Sequence, residues 1–456
     1  MSSSKNNDTE LGQMSILNND SLEKNLNSKK QDTNLDDIKD NCTVISDQNK
    51  NIIQEQIEDT KSSIVNVTDN KISDGGNKKS LEEKHNDISK GYLLEYRIKR
   101  LLFSMGYYPK IGILLKTAPD ELSDTITDLD VYGFYFHKNF AVKTIWSDCK
   151  SGKSKSLERI SWIIGVKNIA KIDDVIYVKK GVRYDTRQFA RKSGVQVLDL
   201  DILANLEHDF GNKPDDWRGS WNPDTQINQL VTFQRISVPN NESYRKISNF
   251  MYSGYWTLDN YTKIKKTITA LKQLSIYEQL PLSKEQKNSI HWAIFELINL
   301  FVLAILNISK ELYYFSDNDK KETILEGLIS GEISAKKRAE IVEATYKLAY
   351  SMIQRQNPDF NGQLQIPNIG INPPTYYEAL NDLVLRITNS PLNYFDILRF
   401  LDFVFMEFDL QSKKIDDSVL KCIFPNYESL LISSKTVIHF ICTITGIRRD
   451  LFQLTR

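Results

Sequence analysis

The stretch "ITDLDVYGFYFHKNFAVKTIWSDCK", Ile126 to Lys150, contains two runs rich in alternating, β-branched and aromatic residues, joined at His137-Lys138-Asn139. That is the pattern of a β-hairpin. Side chains two apart on a strand share a face, so Asp148 and Lys150 project together while Cys149 points to the other side. Asp128 and Asp130 repeat the spacing on the preceding strand. Antiparallel pairing through the turn brings the carboxylates of Asp130 and Asp148 together near one end of the hairpin. Two such carboxylates form a hard oxygen site suited to Mg2+ or Mn2+.

The residues just beyond, Gly152-Lys153-Ser154, also look like the end of a phosphate-cradling loop. That loop needs a glycine five residues before Gly152 so that the backbone can wrap the phosphates. The position is Ser147, and no dinucleotide fingerprint follows the first strand. Gly152 and Lys153 therefore read as the exit turn of a strand.

Outward from the hairpin, "YLLEYRIKRLLFSMG" places Leu94, Ile98, Leu101, Leu102 and Met105 on one helical stripe, with Gly106 as its C-terminal stop. "YYPKIGILLK" reads as a strand. After the hairpin come a helical "SLERISWIIGVKNIAK", a short strand "DVIYV", a helical "TRQFARKS" stopped by Gly194, and a last strand "VQVLDL". The order is αβββαβαβ, a mixed α/β layout. Glu95 lies at the edge of the first helix's stripe, where it offers a further carboxylate or, alternatively, an exposed pair with Lys99 at i+4.

The chain has 456 residues, enough for about two or three domains. Residues 1–88 contain no Phe, Tyr, Trp or Pro, although aromatics make up 10% of the whole, so this segment reads as a disordered polar tail. Residues 89–210 form the α/β domain. "KPDDWRGSWNPDT" marks a turn-rich boundary, and 211–456 reads as a helical domain, with Ser283 and Gln286 as a capping box ahead of a helix at 287–309. The apolar run "HWAIFELINLFVLAILNIS" within it is interrupted by Glu296, Asn299 and Asn307, which favours a buried helix over a membrane span. Four cysteines without CxxC spacing argue against a disulfide framework or structural zinc. With no secretory signal pattern at the N-terminus, a cytoplasmic protein is expected. The five histidines are scattered, with neither an HExxH motif nor a Ser-His-Asp pattern.

Glu95, Asp130 and Asp148-Cys149-Lys150, in this element order, resemble the PD-(D/E)xK nuclease superfamily, closest to restriction-endonuclease-like members of the Mrr or RecB type. The resemblance spans about residues 88–208. It implies a restriction-endonuclease-like αβββαβ core and a metal held by Asp130, Asp148 and the backbone carbonyl of Cys149. It also implies a catalytic role for Lys150 and an accessory one for Glu95. Leu129 stands where such motifs often carry proline, and Asp128 competes with Asp130 for the part of ligand.

The implied activity is Mg2+- or Mn2+-dependent endonucleolytic hydrolysis of phosphodiester bonds, with DNA as the expected substrate and restriction, repair or anti-phage defence as the settings such members serve. The alternative is a non-catalytic DNA-binding or assembly module that retains the fold. Net charge is zero, yet residues 150–192 hold 12 Lys plus Arg against 4 Asp plus Glu, a local excess of eight. Lys153, Lys155 and Arg159 follow the motif directly and are expected on the phosphate backbone. The helical domain could position substrate, bind a protein partner or self-associate, or hold the nuclease inactive, and no membrane is expected as partner.

Overall fold

The Ser89 hydroxyl accepts from the Tyr92 N–H and caps helix α1 (Lys90–Ser104). The computed structural model describes residues 89–455 apart from 119–122, 153, 237–242, 331–334, 358–359, 361, 363–371 and 412–415. The segment 1–88, read above as a tail, and Lys153 lie outside the described residues. Gly106, with φ +96, ends α1 as expected: its N–H donates to Phe103 O and that of Tyr107 to Leu102 O.

Strands β1 (Tyr108–Lys116), β2 (Thr125–Phe136) and β3 (Val142–Cys149) form an antiparallel meander. Helix α2 (Ser156–Ala170) crosses to β4 (Asp174–Val178), parallel to β3, and α3 (Tyr184–Lys192) leads to β5 (Val195–Leu198), parallel to β4. The five strands lie in the order β1-β2-β3-β4-β5, so the expected αβββαβαβ succession builds one mixed sheet. A further helix, α4 (Leu200–Asp209), closes this part.

Each sheet face has its own helix. Leu94, Ile98, Leu101 and Leu102 of α1 pack with Val131, Ile145 and Cys149. Ile160, Ile163 and Val166 of α2 pack with Leu129 and Trp146. Gly112 interrupts the β1–β2 ladder opposite Asp130, between the pairs Ile111–Val131 and Ile113–Leu129. Its φ of +68 is one that L side chains rarely adopt.

Beyond residue 210 the described residues are mainly helical. Helix α5 (Pro223–Arg235), α6 (Ser243–Tyr252) and α7 (Asn260–Tyr277) precede α8 (Lys284–Leu312), which starts from the expected Ser283–Gln286 capping box. Then come α9 (Asp317–Ser330), α10 (Ala335–Gln356), α11 (Tyr377–Asn389), α12 (Ile397–Val404), α13 (Asp417–Ile423) and α14 (Tyr427–Thr445). Helix α8 is long and apolar enough to cross a membrane by length and composition, but its apolar stretch is enclosed by α5, α6, α7, α11 and α12. Its interrupting polar residues find partners, Glu296 with Lys110 of β1 and Asn299 with Asp402.

The turn-rich stretch near 210 divides the sheet region from the helical region by composition, while the core runs across it. The described residues fall in a single compact unit. Phe103 of α1 lies 4.7 Å from Trp221 and 5.9 Å from Phe403, centroid to centroid. Arg100, only 2% exposed, donates to the Glu207 carboxylate and to the carbonyls of Lys213 and Asp216.

Candidate active site at the fork of the β2–β3 hairpin

The β2–β3 ladder stops at Val131 opposite Ser147. Past that pair β3 stays bonded to β4, with the Lys150 N–H donating to Val178 O at 3.0 Å. The Cys149 N–H turns instead to a side chain, donating to Asp130 Oδ2 at 2.6 Å. A backbone donor that has lost its strand partner must be satisfied somewhere. Here it holds the Asp130 carboxylate inside the fork.

Lys150 Nζ stands 3.4 Å from Asp130 Oδ2 and 3.6 Å from Asp148 Oδ1, so the lysine bridges the two aspartates. Asp148 is fully buried. Both of its oxygens are taken by Arg159 of α2, Nε donating to Oδ2 at 3.0 Å and Nη2 to Oδ1. The Arg159 guanidinium lies 3.7 Å from the ring centroid of Trp162, one helical turn on, and Trp162 meets Trp146 edge to face.

Burial drives the electrostatics of the fork. It pushes the Glu95 carboxyl up to about 8, helped by repulsion from Asp130, Asp128 and Asp148 and opposed by Lys150. Glu95 thus faces the aspartates rather than pairing with Lys99, which is itself buried. Burial also raises Asp130 to about 6, with Lys150 and the Cys149 N–H pulling down and Asp148 pushing up. For Lys150 burial works to lower the ammonium's pKa, but Asp130 and Asp148 outweigh it and the net direction is up.

The structure brings Asp130, Asp148 and Lys150 into contact, with Glu95 near enough to feel their charges. Asp128 is exposed at the rim. The Cys149 thiol packs on the α1 side of the sheet, as the strand alternation predicts. Lys155 is exposed and pairs with Glu158 at 2.9 Å. Arg159, expected on a phosphate backbone, is bound to Asp148.

Two neighbours escaped the reading of the sequence. Tyr92 sits one helical turn before Glu95, and burial, Glu95 and Asp128 raise its phenol's pKa. Trp162 stands at i+3 from Arg159; helical spacing was the available signal for both. The loop after β3 is braced by Ser154, whose hydroxyl is 3.1 Å from the Tyr177 hydroxyl and accepts from Lys179 Nζ at 2.8 Å.

Among the described residues, no three His, Cys, Asp or Glu side chains converge as a ready ion cage. The donor chemistry nonetheless suits Mg2+ or Mn2+. Asp130 and Asp148 supply hard oxygens. No protein-family model matches the chain, and no curated protein or solved structure does either.

Proposed function

We propose that this protein is a metal-dependent nuclease with a restriction-endonuclease-like αβββαβ core, hydrolysing phosphodiester bonds with DNA as its substrate. The observation that carries the reading is Lys150 bridging Asp130 and Asp148 at the open fork of a hairpin in a mixed sheet, with Glu95 on the preceding helix. Mg2+ or Mn2+, held by Asp130, Asp148 and the Cys149 carbonyl, would neutralise phosphodiester charge and acidify the attacking water. Lys150, kept charged by its two aspartates, donates to the phosphate as negative charge builds there. Glu95, with a pKa near 8, can exchange a proton with water in the fork at neutral pH. The eight-charge basic excess over residues 150–192 suits a polyanionic backbone.

A second reading, a DNA-binding module without catalysis, is favoured by one observation: Arg159 already occupies both oxygens of Asp148. Incubating the purified protein with linear, circular and single-stranded substrates, with and without Mn2+, separates the two. The nuclease reading expects Mn2+-dependent cleavage, lost by at least roughly a hundredfold in a Lys150→Ala variant that still unfolds cooperatively. Undiminished turnover by that variant would remove the mechanism. Tight duplex binding without cleavage in either metal would favour the second reading.

A further inference from the structure

Arg159 joins the fully buried Asp148 to the solvent-exposed surface. Its fork is bidentate on the carboxylate, so a cation approaching Asp148 meets two oxygens already shared with a guanidinium and is opposed by that guanidinium's charge. The same side chain is about a quarter exposed, at the mouth of the fork, and has a second seat on the face of Trp162. A phosphodiester offers the planar fork the acceptor chemistry that the carboxylate offers now.

Taking the metal-dependent reading above as its base, we infer that Arg159 is a resident counter-ion that competes with the metal for Asp148 and couples metal loading to arrival of the phosphate backbone. Without nucleic acid, Arg159 neutralises Asp148 and holds the divalent ion's affinity down. When a phosphodiester enters, the guanidinium transfers to it and Asp148 is freed for the ion. Each ligand then strengthens the other by the same factor, as linkage requires. Arg159 in this account is a positioning residue for the metal and a contact for the substrate, and Trp162 keeps its guanidinium at the mouth in both states.

The test is calorimetric titration of Mn2+ into the wild type, Arg159→Gln and Arg159→Lys, alone and with a phosphorothioate duplex that resists cleavage, with Asp130→Asn as the control for site-specific binding. Arg159→Lys keeps the charge, lacks the two-pronged grip on Asp148, and guards against loss of folding in the neutral variant. Expected is Mn2+ binding roughly tenfold tighter in both Arg159 variants than in the wild type without DNA, an ordinary size for site coupling. The duplex should tighten Mn2+ binding in the wild type and do so far less in either variant. Equal Mn2+ affinity in wild type and variants would overturn the inference while leaving the metal site intact. So would Arg159→Lys matching the wild type while Arg159→Gln binds more tightly, because bulk charge alone would then account for the change. Absence of any Mn2+ binding that Asp130→Asn abolishes would instead overturn the metal reading, and the inference with it.

Discussion

Each within its own pH window, Glu95 up to about 8 and Asp130 up to about 6, these carboxyls hold protons that the unfolded chain would have released. Glu95 moves from an ordinary 4.5 to about 8, so between those values the folded protein binds more protons than the unfolded one. Stability therefore falls as pH rises through that window. The groups facing Glu95 are Asp128, Asp130 and Asp148, against Lys150 alone. In the metal-free protein, Glu95→Gln should flatten the decline and raise the melting temperature at about pH 8 by roughly 2–4 °C, read by thermal unfolding across pH. A divalent ion held by Asp130, as proposed, would displace that residue's proton, so Mn2+ affinity should strengthen as pH rises through about 6. Asp130 and the exposed Asp128 are separable in the same way. Asp130→Asn keeps the shape but removes compensating charge from the fork, and should weaken Mn2+ binding by roughly a hundredfold, at the top of the range for loss of an orienting hydrogen bond. Asp128→Asn should cost under about tenfold by the same titration.

At the scale of elements, the site depends on α2 being held against the sheet. The helix lacks a side-chain cap at Lys155, so its position comes from packing of Ile160, Ile163 and Val166 on Trp146 and Val175. Ile163→Ala should destabilise the protein by about 2–5 kcal/mol, seen as a lower urea midpoint with an unchanged slope. It should also loosen Arg159, one turn earlier, and so tighten Mn2+ binding. The elements themselves were legible in the sequence. The stripe from Leu94 to Leu102, the hairpin about Lys138 and the stops at Gly106 and Gly194 are local signals, and local sterics and hydrophobic periodicity decide them. The separation of β2 from β3 beyond Val131 was not legible, because no residue in either strand marks the point where the ladder ends. The Cys149 N–H turning to Asp130 follows from it.

For the whole molecule, the sheet and the helices share one interior, and a buried ion pair crosses between them. Lys110 of β1 and Glu296 of α8, 6% and 4% exposed, bond to one another. Removing one partner strands the other in a low-dielectric interior, so Glu296→Ala should cost about 3–5 kcal/mol. The double change Lys110→Met with Glu296→Leu should restore most of that stability in chemical denaturation, because it removes both desolvation penalties together. A double variant as unstable as the single one would show that the pair supplies more than mutual neutralisation. The sequence by itself determined the order of strands and helices, the capping of α8 and the grouping of Asp130, Asp148 and Lys150, since each depends on spacing along a few residues. Only the tertiary structure decided that the two regions share a core, that Glu95 faces the aspartates and that Arg159 grips Asp148. Those outcomes depend on which distant groups meet out of water, where burial sets the strength of every charge.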